Sequence, residues 1–422
     1  MNDHSTKKLW TLRYTLLNVT YFAAFCTIHA YAAVYLLSYG FTNTQVGLLL
    51  AIANITSALF QPYIAGIIDK QGWLTNRRFI LIAVLVIIAG SLLLLLVPGS
   101  KVMIFVIYAI IYMIQFAYQP VLIAICFEYQ RAGCDIYFGL ARGLGSAGFA
   151  VTAFFIGSAV EANGVSILLL VTMAAMVISA VVIATFKQPA EAAGSVSAEG
   201  SASVKSDSAE DNHAEQSETD KAHNNVIDFA KTYPAFMLFM LATICFFFAH
   251  NMINDFLIHI VRNLGGSETQ LGYANFLQAI LELPVMALIG FVYKKITVNK
   301  LLVMSGAAFF VKIMILVFAV HLSGLFISQS FQLLAYAVFV PASAYYVSTH
   351  MDEYDQVKGQ AYINSAITIG GVFSNLVSGV ILDHLGIRPM LIVGSIVCAV
   401  GVIIAFVAMR GKAEQVRAKT GS

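Results

Sequence analysis

A chain of 422 residues that is 59% hydrophobic and 11% charged, with mean hydropathy +0.81, is not an ordinary soluble domain, where about a quarter of residues are charged. The near balance of 24 Lys and Arg against 22 Asp and Glu offers no basic surface for nucleic acid. Five scattered cysteines, Cys26, Cys126, Cys134, Cys245 and Cys398, lack the paired spacing of a disulfide framework or a metal site.

In chain order, twelve apolar stretches are long enough to cross about 30 Å of hydrocarbon as helices. They lie near residues 12–38, 44–68, 79–98, 102–126, 137–160, 165–187, 232–262, 268–292, 299–320, 323–348, 357–384 and 387–409. The first follows Lys7, Lys8 and Arg13 but is too long for a signal-peptide core and has no small-residue cleavage site, so it is expected to stay as a helix. The apolar pattern breaks once, at 188–230, where Ala, Ser, Glu and Asp cannot build a core and predict a disordered cytoplasmic linker. Residues 1–187 and 231–422 then form two six-helix halves, the second with a short basic tail. The halves echo each other. Thr44-Gln45-Val46-Gly47 opens the second stretch as Thr269-Gln270-Leu271-Gly272 opens the eighth, and at the same offset Asp69-Lys70 falls on Lys294-Lys295. Duplicated halves of this kind occur in secondary transporters, with the site at the midplane between them.

Orientation follows from the basic residues. With both termini cytoplasmic, 20 of the 24 Lys and Arg fall on cytoplasmic connections, while Lys101, Arg262 and Arg388 fall outside and Lys312 lies within a span. This is the positive-inside pattern, and it predicts a multi-pass plasma (inner) membrane protein.

Charge inside spans is the functional signal, because an ionisable group at the bilayer centre costs about 2.5–3.5 kcal/mol on insertion scales. Glu282 is the one carboxylate near the middle of a span, and Lys312 sits well inside the next one. The pair is read either as a proton-coupling site or as an ion pair that only locks two helices. His250, Asn251, Asn254, Asp255 and His259 end the preceding stretch. The spacing of Asn251, Asn254 and Asp255 puts them on one helical face, lining either a site or a wet vestibule. Arg142 either contacts solute or pairs with Glu128 or Asp135. His29 is either a packed imidazole or a proton carrier. Gln61, Gln115, Gln119, Gln278 and Gln332 read as helix-to-helix hydrogen-bond partners, one or two of which meet solute. Asp69 with Arg77 and Arg78 reads as a conformational latch or as a solvated turn.

Residues 59–78, LFQPYIAGIIDKQGWLTNRR, resemble the loop between helices two and three of the major facilitator superfamily, with Asp69, Lys70, Gly72 and Arg77-Arg78 in place and Ala65 where a Gly is usual. QVGLLLAIANITSALFQP (45–62), DIYFGLARGLGSAGFA (135–150) and LELP (281–284) are similar to the lactose-permease-like oligosaccharide:proton symporter branch. That resemblance implies an all-α integral membrane fold of twelve transmembrane helices in two six-helix bundles. It makes Arg142 the sugar-binding arginine, Glu282 the essential helix-eight carboxylate and Lys312 the basic residue of helix nine. Ala124, Phe149, Gln332 and Ala335 depart from the branch, at its substrate carboxylate, its stacking tryptophan and its helix-ten proton site. Asn251 and Asn254 fall where it has aspartates, with Asp255 one position away. Galactoside specificity is therefore not implied.

The expected function is proton-coupled symport of a sugar or glycoside by alternating access. The solute would meet Arg142, Phe149, His29, Asn251, Asn254, Gln278 and Gln332, and protons would be carried by Glu282, Lys312 and Asp255. The alternative is a transporter or exporter of a nucleoside, aromatic acid or drug-like solute, with a membrane-embedded sensor further behind. The chain shows no HExxH and no nucleophile constellation, so an enzyme is not expected. No cofactor is required. Expected partners are a small polar solute, protons and the bilayer, and the expected state is a monomer.

Overall fold

The computed structural model of the chain describes residues 3–70, 72–96, 100–186 and 226–420. Long apolar runs in which helix breakers are rare form helices, since in lipid every backbone group must be bonded within its own segment. Twelve spans result. They are α1 (Asp3–Phe25, a π-helical turn Cys26–Ala30, then Ala32–Ser38), α2 (Asn43–Asp69), α3 (Asn76–Leu96), α4 (Lys101–Arg131), α5 (Phe138–Asn163) and α6 (Ser166–Thr185) in the first half. The second half has α7 (Pro234–Asp255, then Leu257–Asn263), α8 (Glu268–Val292), α9 (Val298–Phe318), α10 (Leu322–Ser330, a 3-10 turn Phe331–Leu333, then Tyr336–His350), α11 (Glu353–His384) and α12 (Ile387–Thr420). Among the described residues, ten are individually long and apolar enough to cross a bilayer, and α1 is an eleventh whose two parts meet at 50°. The twelfth, α8, is a 25-residue helix whose apolar run also carries Asn275, Gln278, Glu282 and Pro284.

Most of the predicted linker, 188–225, lies outside the described residues. Its last five residues are not linker but part of a short helix, Val226–Thr232, because Phe229 finds apolar cover against the rings of Tyr233, Phe236 and Tyr362. The helical part of the second half thus begins at Val226 rather than 231.

The predicted duplication extends through the backbone. In the first half α1 packs on α5 and α6, and in the second α7 packs on α11 and α12. Helix α1 breaks at Tyr31 (φ −110°, ψ 13°) and α7 at Phe256 (φ −116°, ψ 22°), 225 residues later. Seven-residue helices follow both breaks, and Gly40 and Gly265, also 225 apart, end them at positive φ, where only glycine is free of strain.

The halves meet chiefly along two crossed pairs, α2 against α11 and α5 against α8. Those pairs are closest on the face opposite the chain termini. A Cβ on Gly47 would strike the Asn375 carbonyl, one on Gly379 the Asn43 carbonyl, one on Gly157 the Glu268 carbonyl and one on Gly272 the Ala153 carbonyl. Toward the termini the same helices diverge, and a Cβ on Gly66, Gly143 or Gly290 would meet nothing within 4 Å. The molecule is therefore shut on one face and open on the face that carries its termini.

Candidate functional site

Between the halves lies a cavity of about 460 Å³, within the range of small-molecule sites. Among the described residues, three interrupted spans border it: the π turn of α1 carries His29, the break of α7 follows Asp255, and the 3-10 turn of α10 carries Gln332. Interrupted spans are tolerated only where the freed backbone is buried in protein or lines a cavity. All three breaks were absent from the sequence-based expectation, which drew each as a continuous helix.

The wall from the first half is aromatic. His29 stacks on Phe25 at 4.1 Å and lies 3.8 Å from the Tyr112 ring and 4.4 Å, edge-on, from Phe116. Neither of its ring nitrogens has a partner among the described residues, so the packed-imidazole reading describes its surroundings while leaving its polar edge unused. Phe149 adds a ring 6.4 Å from Phe25. Arg142 and Ser146, four apart on α5, share a face, and Arg142 donates to Ser146 Oγ at 2.9 Å. Its guanidinium lies over the Phe22 ring at 4.2 Å, a cation–π contact worth about 0.5–2 kcal/mol. Arg142 lines the cavity. Glu128 accepts from Asn76 Nδ2 at 2.7 Å.

The wall from the second half is built of amides and acids. Asn275, Gln278 and Glu282 recur at three- and four-residue steps and so share one face of α8. Asn251, Asn254 and Asp255 line the cavity from α7, and Asn254 donates its amide to His250 Nε2 at 2.9 Å. His250 stacks in turn on Tyr336 with rings 10° from parallel.

Behind this wall the expected Glu282–Lys312 contact is corrected in form. Lys312 is fully buried, but its Nζ donates to Gln278 Oε1 (3.1 Å) and Gln332 Oε1 (2.7 Å). Gln332 then donates its Nε2 to Glu282 Oε1 at 2.9 Å. The charges are joined through a glutamine that has one acceptor and one donor end, and each end finds the partner it needs. Ser328 Oγ ties the Lys312 carbonyl to α10. Gln332, expected as a helix-to-helix partner or a solute contact, is the centre of the network.

The structure thus gathers Arg142, Phe149, His29, Asn251, Asn254, Gln278, Gln332, Glu282 and Asp255 around one cavity, with Lys312 behind it. Asp69, Arg77 and Arg78 lie apart. Asp69 is exposed at the end of α2, Arg77 caps the C-terminus of α6 through the carbonyls of Ile183 (3.0 Å) and Ala184 (2.8 Å), and Arg78 donates to the Trp73 carbonyl. Sequence reasoning missed Asn54, Tyr112, Asn275 and Tyr336, all in the lining. A tyrosine or asparagine in a span reads alike whether it packs or faces a cavity.

The profile of the MFS_1 like family matches residues 9–393. No curated protein sequence is significantly similar. Among solved structures, the nucleoside transporter NupG is similar with a TM-score of 0.74 at 14% identity, over 95% of this chain and 99% of that one. A bacterial homolog of the human lysosomal transporter Spinster, inward-facing and unoccupied, gives 0.67 at 12% identity over 97% and 98%. An auto-inhibited POT family peptide transporter gives 0.70 at 10% over 95% and 96%. These likenesses establish the fold.

Proposed function

Because the chain belongs to the MFS_1 like family, within the major facilitator superfamily, we propose that it is a secondary active transporter that carries a sugar or glycoside with protons by alternating access. The observation that carries this reading is the cavity between two pseudo-equivalent halves, with a buried carboxylate, Glu282, on its wall and a buried cation, Lys312, one glutamine away. Amide and carboxylate groups on one side supply the donors and acceptors that a polyol needs. Arg142 uses one protein hydrogen bond among the described residues and keeps the rest of its five N–H donors for solute.

Proton coupling follows from chemistry at the second wall. Glu282 Oε1 is held by Gln332, an amide that can donate to the carboxylate and, by rotating, accept from the protonated acid. A carboxyl in that place can therefore load and unload a proton as the cavity changes face, with Asp255 as a second candidate. With the termini cytoplasmic, the open face is the inward one and the protein stands inward-open in an inner membrane. It works as a monomer, with solute and protons as its cargo.

A second reading has its own observation. The Phe25, Tyr112, Phe116 and Phe149 rings form a surface on which a flat base could stack, opposite hydrogen-bonding amides. A nucleoside fits that pairing as well as a glycoside does, and the nucleoside transporter NupG shares the fold.

The test is uptake into proteoliposomes under an imposed pH gradient, screening labelled sugars, glycosides and nucleosides. Accumulation of one class, abolished by collapsing the gradient, is expected. Accumulation insensitive to the gradient would overturn proton coupling, and the absence of uptake and counterflow for all classes would overturn transport of this solute type.

A further inference from the structure

The closed face is fastened by two carboxylates, one from each half. Asp383, at the end of α11, accepts from the first residues of α2: Oδ1 from Asn43 N (3.0 Å) and Nδ2 (2.9 Å), Oδ2 from Thr44 N (2.7 Å) and Oγ1 (2.6 Å). Glu161, near the end of α5, accepts through Oε2 from Ser267 Oγ (2.9 Å) and from Thr269 Oγ1, at the start of α8. Thr44 and Thr269 are 225 residues apart and Glu161 and Asp383 are 222 apart, the spacings that relate the two halves along these helices. A contact from a carboxylate to a threonine hydroxyl thus occurs twice, related by the internal duplication.

We propose that Asp383 and Glu161 are paired gate residues that set how long this face stays shut. Each reaches from one half to the N-terminus of a helix in the other. There, unpaired backbone N–H groups and the positive end of the helix dipole favour a carboxylate. Charge-assisted bonds of this kind are about twice as strong as neutral ones.

Neither contact holds either half together on its own. Thr44 is 339 residues from Asp383, and Thr269 is 108 from Glu161, and both bonds cross between bundles. A bond that spans only the moving boundary adds to the population of the closed state and to nothing else. The close approach of Gly379 to the Asn43 carbonyl and of Gly157 to the Glu268 carbonyl puts a gate carboxylate one helical turn beyond each backbone contact. Each contact therefore makes and breaks as one unit. Rocking two rigid halves about their duplication axis releases both caps together. The inference rests on alternating access but on neither the solute nor the ion.

The experiment measures the face itself. Spin labels at Ser100 and Val320, exposed residues on the closed face of opposite halves, are placed on a cysteine-free full-length chain in lipid nanodiscs. Their distance distribution is read for wild type, Asp383→Asn with Glu161→Gln, and Thr44→Val with Thr269→Val. The carboxylate variant should shift the open-to-closed ratio of this face by about tenfold, equivalent to about 1.4 kcal/mol. The threonine variant, which keeps both carboxylates and the helix starts, should shift it in the same direction by less. If the carboxylate variant does not insert, the threonine variant reads the same gate. A wild-type distribution in the folded variants overturns the proposal, whatever solute is carried. A solute screen that fails while the distribution shifts would count against the transport reading alone.

Discussion

Gln332 links the two buried charges, and its replacement separates their roles. Gln332→Leu removes the acceptor of Lys312 and the donor to Glu282 at once. Buried polar groups left unpaired cost about 1–3 kcal/mol each, so a loss of several degrees in thermal unfolding is expected, with proton-driven uptake lost before folding is. A variant with wild-type unfolding would show that the glutamine bridges nothing that matters. Lys312→Met should cost about 1–3 kcal/mol through the stranded Gln278 and Gln332 oxygens. That is less than the roughly 3–5 kcal/mol for breaking a buried direct ion pair, and adding Glu282→Gln should recover little of it. Full recovery in the double variant, measured in a thermal unfolding cycle, would restore the direct pair. The charged members of this site were legible because a charge in an apolar run is conspicuous. The bridging role of Gln332 was not, since its amide reads the same whether it bridges charges or merely ties two helices.

The elements carry a second lesson. The twelve spans could be read from hydropathy alone, and the duplication from eight residues, but the breaks at Tyr31, Phe256 and Phe331–Leu333 could not. No proline or glycine marks them. They fall beside His29, Asp255 and Gln332, which line a cavity that only the folded halves create. Close packing of α2 on α11 and α5 on α8 is likewise a tertiary property, though the repeated Gly47 and Gly272 hinted at it. Gly47→Val should wedge the closed face open, because its Cβ would strike the Asn375 carbonyl. Uptake should fall by more than about tenfold, equivalent to more than about 1.4 kcal/mol. Gly66→Val on the open face should pass with little effect, as nothing lies within 4 Å. Equal damage from both would place the effect outside the contact between the halves. Valine has a somewhat higher helix propensity than glycine at either position, so the difference isolates the contact.

For the molecule as a whole, the proposed alternating access gives a protein shut on one face and open on the other a second state in which these relations reverse. Asp69 stands exposed on the open face, where it can meet a basic residue or a helix end only when that face closes. Asp69→Asn is expected to slow solute exchange several-fold while leaving equilibrium solute affinity within about twofold, a difference below about 0.4 kcal/mol. Binding lost in step with exchange would move Asp69 into the fold or the site. The central claim, that Glu282 couples proton movement to solute movement, has a more direct test in Glu282→Gln, which keeps shape and hydrogen bonding but cannot ionise. In proteoliposomes carrying a counterflow-active solute, the variant should lose accumulation driven by an imposed pH gradient while retaining exchange across equal concentrations. Accumulation by the variant against a gradient, with the pH dependence of the wild type, would contradict the claim and place the proton site elsewhere, with Asp255 the next carboxylate to examine.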